Sequence, residues 1–162
     1  MEGKCVEKDA GKAFEWYKKS AEQGNIKAPE RLAYCYENGI GVERDEAKAA
    51  KWYKKLAEQG DIQSQNILAN CYMNAIGVKK NEKKAVEWYQ KASIQGNLEA
   101  KHQLEKWYST KGSFSNKAQD AFVWYHKLAD HGDSYGEFNL ARCYEKGLGT
   151  GVYKEKAIEI YQ

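Results

Sequence analysis

The chain is short of aliphatic side chains. Leu, Ile, Val and Phe make up 26 of its 162 residues, a share low enough to be met in disordered proteins. Disorder also calls for a large net charge and few aromatics. Neither holds: the formal net charge is +3, and the chain carries 12 Tyr and 5 Trp. The sequence therefore predicts a core of aromatic rings and alanine. Other absences narrow the function. No apolar run approaches the roughly 20 residues that cross a bilayer, so no membrane insertion is expected. Met1-Glu2-Gly3-Lys4 leads straight into polar sequence, without the pattern of a signal peptide. Together these predict a cytoplasmic protein. The sequence pI of about 8.5 comes without a clustered basic face and gives no footing for nucleic-acid binding.

Catalytic and metal-binding patterns are also missing. The four cysteines include no C-x-x-C pair, the spacing that would suggest zinc. Cys35, Cys71 and Cys143 share one repeat position. Equivalent positions in stacked units sit about 9–10 Å apart, too far for a disulfide, which needs Cα atoms within about 7 Å. Reduced and mostly buried thiols are expected, as small fillers of helix seams. His102, His126 and His131 show no H-E-x-x-H spacing. His131 falls in the last turn of a helix, where the dipole favours a cation. Gly39-Ile40-Gly41 joins two helices and is a turn, not a phosphate cradle. The acidic residues are interleaved with lysines in the manner of solvated helices. No catalytic residue, metal or cofactor is expected.

What the chain does contain is a period. Trp16-Tyr17, Trp52-Tyr53, Trp88-Tyr89 and Trp124-Tyr125 recur every 36 residues, and Ile160-Tyr161 continues the register. A fixed period of this size marks a stacked repeat protein, in which each unit buries its face against its neighbours. The predicted fold is all-α: a solenoid of stacked antiparallel helix hairpins, about four and a half repeats, forming one domain over 1–162. Its units are 25–60, 61–96, 97–132 and 133–162, after a partial unit 1–24.

Each repeat reads as two helices. A Gly–Asn/Asp pair ends one unit and opens the next, at Gly24-Asn25, Gly60-Asp61, Gly96-Asn97 and Gly132-Asp133. Glycine takes the left-handed conformation past a helix end, and Asn or Asp caps the following helix. Helix A of a unit carries Ala28, Leu32, Ala33 and Tyr36 on one stripe. A Gly-x-Gly loop follows, and Asp45 or Asn81 caps helix B. Helix B buries Ala49, Trp52, Tyr53, Leu56 and Ala57, and leaves Lys48, Lys51, Lys54, Lys55 and Glu58 to solvent. Helices are predicted over 10–22, 28–37, 46–58, 64–74, 82–94, 99–110, 117–130, 135–146 and 154–162.

The pattern Ala28-x-x-x-Leu32-Ala33-x-x-Tyr36-x-x-Gly39-x-Gly41-Val42-x-x-Asp45-x-x-x-Ala49-x-x-Trp52-Tyr53-x-x-x-Ala57-x-x-Gly60 resembles the Sel-one-like repeat (SLR) family, relatives of the tetratricopeptide repeats. The resemblance covers essentially the whole chain. It implies helical hairpins stacked into a right-handed superhelix, and a non-enzymatic scaffold or adaptor that holds partner proteins together. Some cysteine-rich relatives are linked to binding or hydrolysing β-lactams, which makes such an enzyme the alternative. Those relatives carry paired cysteines bridging the two helices of a repeat, whereas each unit here has at most one.

Two departures stand out. The third copy has Glu105 where Ala33, Ala69 and Ala141 stand, and Trp107 where the cysteines stand; its loop, Lys111-Gly112-Ser113-Phe114, lacks the Gly-x-Gly spacing. Local repacking would absorb this, since a large residue in a packed seam costs about 1–3 kcal/mol; the other outcome is a bend that shapes a pocket. The chain also starts and stops inside a repeat without a polar capping unit. A fragment of a longer protein is expected, with end-to-end self-association of its uncapped ends as a further mode of contact.

The partner surface is expected on the side of helix A about 200° from helix B, the concave face of a solenoid. It comprises Glu30, Tyr34 and Asn38; Asn66, Asn70 and Asn74; His102, Lys106 and Thr110; and Phe138, Arg142 and Lys146. The asparagines would pair with the N–H and C=O groups of an extended peptide. Lys106, Arg142 and Lys146 would favour an acidic one. An ordinary solvated face is the plain alternative.

Overall fold

The computed structural model describes residues 2–25, 27–110 and 115–162, with the side chains of 2–8, 109–110 and 115–116 left aside. The loop Lys111-Gly112-Ser113-Phe114 and the side chains of Cys5 and Thr110 lie outside the described residues. Among those described there are nine α-helices and no strand. They fall into two compact units, residues 1–92 and 93–162. The first holds α1 (Glu2–Glu22), α2 (Ala28–Asn38), α3 (Glu46–Glu58), α4 (Ile62–Asn74) and most of α5 (Glu82–Ile94). The second holds the end of α5, then α6 (Leu98–Thr110), α7 (Ser115–Asp130), α8 (Ser134–Lys146) and α9 (Lys154–Tyr161).

The helix starts follow from their caps. Asp45 accepts the Lys48 amide at 2.9 Å, Asp61 the Ser64 amide at 2.7 Å and Asn81 the Lys84 amide at 3.0 Å. In the second unit Asn97 accepts the Ala100 amide at 2.8 Å, and Asp133 that of Gly136 at 2.9 Å. Each satisfies an amide that a helix start leaves without an intrahelical partner. One expectation is corrected. Helix α1 begins at Glu2, not near residue 10. Residues 2–9 hold no proline and one glycine, without the Gly-x-Gly pair of the later loops, so nothing stops the helix from extending through them.

The core is small-residue and aromatic. In the first unit Phe14, Leu32 and Cys35 form one cluster with Tyr17, Tyr36 and Trp52 packed against it. Phe14 and Tyr36 meet edge to face at 5.3 Å, a favoured ring geometry. Ala33, Ala49 and Tyr53 form a second cluster. In the second unit Trp124, Leu104, Leu128, Leu140 and Ala141 are buried. The tryptophan position is not uniformly inside, as its period suggests. Trp124 is fully buried, while Trp16 is 69% exposed. Trp52 and Trp88 are half-buried under Lys55 and Lys91, whose ammonium groups lie 4.3 and 4.1 Å from the ring centres. A large ring half-covered by a lysine stem needs no full burial.

The loop between helices A and B sets the packing of one hairpin on the helix before it. Gly41, Gly77 and Gly149 have φ of 69°, 66° and 72°. A Cβ there would run into the carbonyl of Ala10, Glu46 or Ala118, respectively. The next backbone bond closes each loop: Asp45 N–H to Tyr36 O at 2.8 Å, Asn81 to Tyr72 at 2.9 Å, and Tyr153 to Tyr144 at 2.8 Å. The first loop position is the left-handed end of helix A, Gly39 and Gly147 in two repeats. In the second repeat it is Ala75, at φ 59°, a conformation that costs a residue with a Cβ roughly 1–2 kcal/mol. Ala75→Gly should therefore raise unfolding free energy by about 0.5–1 kcal/mol. Gly77→Ala, two residues on, should lower it by about 2–3 kcal/mol or more. Urea denaturation of the two variants checks both signs.

Candidate functional site

The expected partner face divides along the two units. In the first, Tyr34 and Asn38 on α2 and Asn74 on α4 are exposed as expected. The asparagine ladder is corrected at its other two rungs. Asn66 is buried, at 8% exposure. The residues at the same position elsewhere, Glu30, His102 and Phe138, are longer and reach solvent. Its Oδ1 is buried without a hydrogen-bond partner. Asn70 is half-buried, and its Oδ1 accepts the Tyr89 hydroxyl at 2.7 Å. Asn38 and Asn74 each donate Nδ2 back to their own helix, to Tyr34 O at 2.9 Å and Asn70 O at 3.1 Å. These amides stitch helices more than they line a groove.

A cleft of about 240 Å³ does open in this unit between α2 and α4, over Tyr53. Glu30, Glu37 and Asp61 line it with only Arg31 to oppose them. Tyr53 donates its hydroxyl to Glu37 at 2.7 Å. Burial first, and then the Glu37 carboxylate, push the Tyr53 phenol upward. The sequence reading missed Glu37. It lies one residue short of Asn38, off the Tyr34 and Asn38 stripe, and only Tyr53 on the adjoining α3 draws it in.

In the second unit the face of α6 and α8 is cationic. Lys106, Arg142 and Lys146 are all exposed, as is His102. Phe138 is 53% exposed, with the Arg142 guanidinium 5.9 Å from its ring centre. The two helices are tied at their starts. Lys101 on α6 donates to both carboxylate oxygens of Asp133 at 2.8 and 2.9 Å, and its ammonium stands 4.5 Å over the Tyr135 ring. Partial burial pushes the Asp133 carboxyl upward, but the Lys101 and Gly136 hydrogen bonds outweigh it and leave the group below its ordinary value.

The third repeat departs as its sequence does. Ala33, Ala69 and Ala141 are completely buried. Glu105 in their place leaves the seam and comes within hydrogen-bond reach of the Tyr135 hydroxyl on α8, which also meets Tyr125. Trp107 is half-buried, and its indole Nε1 is buried with no partner. Among the described residues α7 packs closely on α8 and only sparsely on α6. A cavity of about 470 Å³ lies between the three helices. Tyr135 and Lys117, which line it, carried no sequence signal. Tyr135 stands where the other repeats have Lys27, Gln63 and Glu99.

Cys35, Cys71 and Cys143 are buried free thiols. Burial pushes Cys71 and Cys143 up to about 11, so both stay protonated and weakly nucleophilic at neutral pH. No group of three His, Cys, Asp or Glu side chains is arranged to hold a metal among the described residues. No helix is long and apolar enough to cross a membrane there.

Stacked helix hairpins closed by Gly-x-Gly loops define an α-helical repeat protein. The chain belongs to the Sel1 repeat family, whose model matches residues 1–25, 30–61, 62–97, 107–133 and 134–162. The fourth match, 107–133, omits most of α6, the helix carrying Glu105. A protective antigen present in uropathogenic Escherichia coli strains, which displays an SLR fold, is 34% identical over 96% of this chain, with TM-score 0.55. A Sel1 repeat protein from Oxalobacter formigenes is 28% identical over 97% of the chain, with TM-score 0.56. Helicobacter pylori cysteine rich protein B is 35% identical over 55% of the chain, with TM-score 0.50. This chain spans 36% of the length of the first and 67% of the second and third. No match was found among curated proteins. Sel1 repeat proteins generally act as protein-interaction scaffolds.

The Lys101–Asp133 pair gives a pH-dependent test of how α6 is held. Asp133→Asn keeps a capping side chain but loses the charge, and should cost about 1–2 kcal/mol at pH 7. The folded-state pKa of Asp133 is depressed, so its contribution is present above the unfolded value of about 3.9 and is lost as pH falls below it. Thermal melts from pH 7 to 2.5 should show the variant and wild type converging at the acid end.

Proposed function

We propose that the chain is a non-catalytic interaction scaffold, and that the exposed face of α6 and α8 binds an extended, acidic segment of a partner protein. The observation that carries this is the placement of Lys106, Arg142 and Lys146 on one face, with Phe138 beside them. The Lys101–Asp133 bond fixes the two helices relative to each other. Exposed cations on a rigid platform steer and register an anionic chain. In the first unit Glu30, Tyr34, Asn38 and Asn74 are the accessible members of the expected face. An acidic segment would avoid the cleft beside them, because Glu30, Glu37 and Asp61 line it. The family supports the scaffold reading in general, and the cationic face supports the sign of the partner.

The probe is a pair of fluorescein-labelled peptides, one alternating Glu and Ser, the other Lys and Ser. The acidic peptide should bind preferentially. Arg142→Glu combined with Lys146→Glu should weaken it roughly three- to tenfold at low salt, and added salt should shrink that difference, because exposed charges are screened beyond about 8–10 Å. Lys51→Glu with Lys55→Glu, on the outer face of α3, should leave it unchanged. Equal binding of both peptides, or an equal loss from the α3 reversal, contradicts the proposal.

A further inference from the structure

The third repeat converts a packed seam into a cavity. At the equivalent position the other repeats bury an alanine completely. A carboxylate cannot be left there unpaired, and Glu105 instead turns to Tyr135 on α8. The start of α6 stays fixed, through Lys101–Asp133 and the fully buried Ala100 and Leu104. Past Leu104 a cavity lies between α6, α7 and α8.

That cavity has a built interior. Tyr108 stacks on Trp124 with ring centres 5.5 Å apart and planes at 27°. Tyr125 lies against the same indole at 4.9 Å. Trp124 is itself fully buried and anchored, its Nε1 donating to Ser93 Oγ at 2.9 Å. Two phenol walls are thus backed by one immobile ring. Ala121 and Cys143, both buried, and Leu148 complete the apolar lining. Lys117 and Arg142 stand among the lining residues, with Glu105 as the one carboxylate, already turned to Tyr135. Lys117 holds its ammonium 4.2 Å over the Trp107 ring, and Arg142 Nη1 reaches Asn139 Oδ1 at 3.4 Å. A volume of about 470 Å³ falls in the usual range for organic ligands, roughly 300–1,000 Å³, and the mixture of aromatic walls with a few polar groups is characteristic of such sites.

We propose that this cavity takes an aromatic side chain of the partner segment, with a flanking carboxylate of that segment paired to Arg142 and Lys117. An aromatic occupant suits tyrosine walls, which favour offset or edge-to-face ring contacts. The net charge of the lining, two cations against one carboxylate, selects an anionic neighbour. The proposal rests on the acidic-partner reading, because Arg142 belongs to both surfaces, but it adds a requirement that reading lacks.

Fluorescence anisotropy with labelled Glu-Glu-Trp-Glu-Glu and its counterpart Glu-Glu-Ala-Glu-Glu tests it. The Trp peptide should bind roughly tenfold or more tightly than the Ala peptide, about 1.4 kcal/mol. It should also slow alkylation of Cys143 by N-ethylmaleimide, mapped by mass spectrometry, without slowing that of Cys35 or Cys71. Leu148→Trp, in the lining of the cavity, should fill it and abolish the preference for Trp over Ala. If both peptides bind equally and salt weakens both, the cavity proposal is overturned and the acidic-partner reading stands. If neither binds, both fall. If free N-acetyl-tryptophanamide binds as tightly as the Trp peptide, the cavity is a small-molecule site and the peptide anchor is wrong.

Discussion

The packing depends on a contact that leaves no room for a side chain. In three loops a glycine sits against the carbonyl of a residue 31 positions earlier: Gly41 on Ala10, Gly77 on Glu46 and Gly149 on Ala118. The positive φ and the missing Cβ are both used at once. Because the contact is backbone to backbone, it does not depend on which side chains the helices carry. A hairpin seated this way brings its small residues to the seam, and Ala33, Ala69 and Ala141 are accordingly buried without remainder. Side chains elsewhere are then free to vary, which is how one packing scheme carries an acidic cleft in the first unit and a cationic face in the second.

The regularity lapses at the third repeat. Glu105 stands where the other repeats bury an alanine, and among the described residues α6 packs only sparsely on α7. The side chains around it are not loose. Tyr108 and Tyr125 lean on a buried Trp124, and Tyr135 ties Glu105 across to α8. A carboxylate in a helix seam destabilises the hairpin locally unless something else engages it. Local rules that a sequence violates while the surroundings stay ordered are where binding sites are to be sought.

Much of the fold was legible from spacing alone. The 36-residue Trp-Tyr period and the Gly–Asn/Asp corners place eight of the helices within two residues of their observed starts, because a cap and a left-handed glycine act locally. Helix α1 begins eight residues before its expected start, because residues 2–9, which stand where 38–45 form a loop, have Cys5 in place of the second glycine of the Gly-x-Gly pair. Site residues were harder. Angular position on a helix separated Tyr34, Asn38, Lys106, Arg142 and Lys146 as exposed, but could not tell that a short amide at Asn66 would be covered or that Tyr89 would claim Asn70. Glu105 was visible as an exception to the repeat. Its partner Tyr135 was not, because a bond between two helices 30 residues apart has no signature in either helix alone.

The central claim is that a partner is held in the second unit, by the cationic face of α6 and α8 together with the cavity at the third repeat. Backbone NMR of the labelled protein, titrated with the acidic tryptophan peptide, tests this residue by residue. The account predicts shift changes concentrated at Tyr108, Lys117, Tyr125, Arg142 and Lys146, with the α3 amides around Lys51 and Lys55 unmoved. Changes centred on α3, or spread evenly over α2, α4, α6 and α8 with none at Tyr108 or Tyr125, would contradict it.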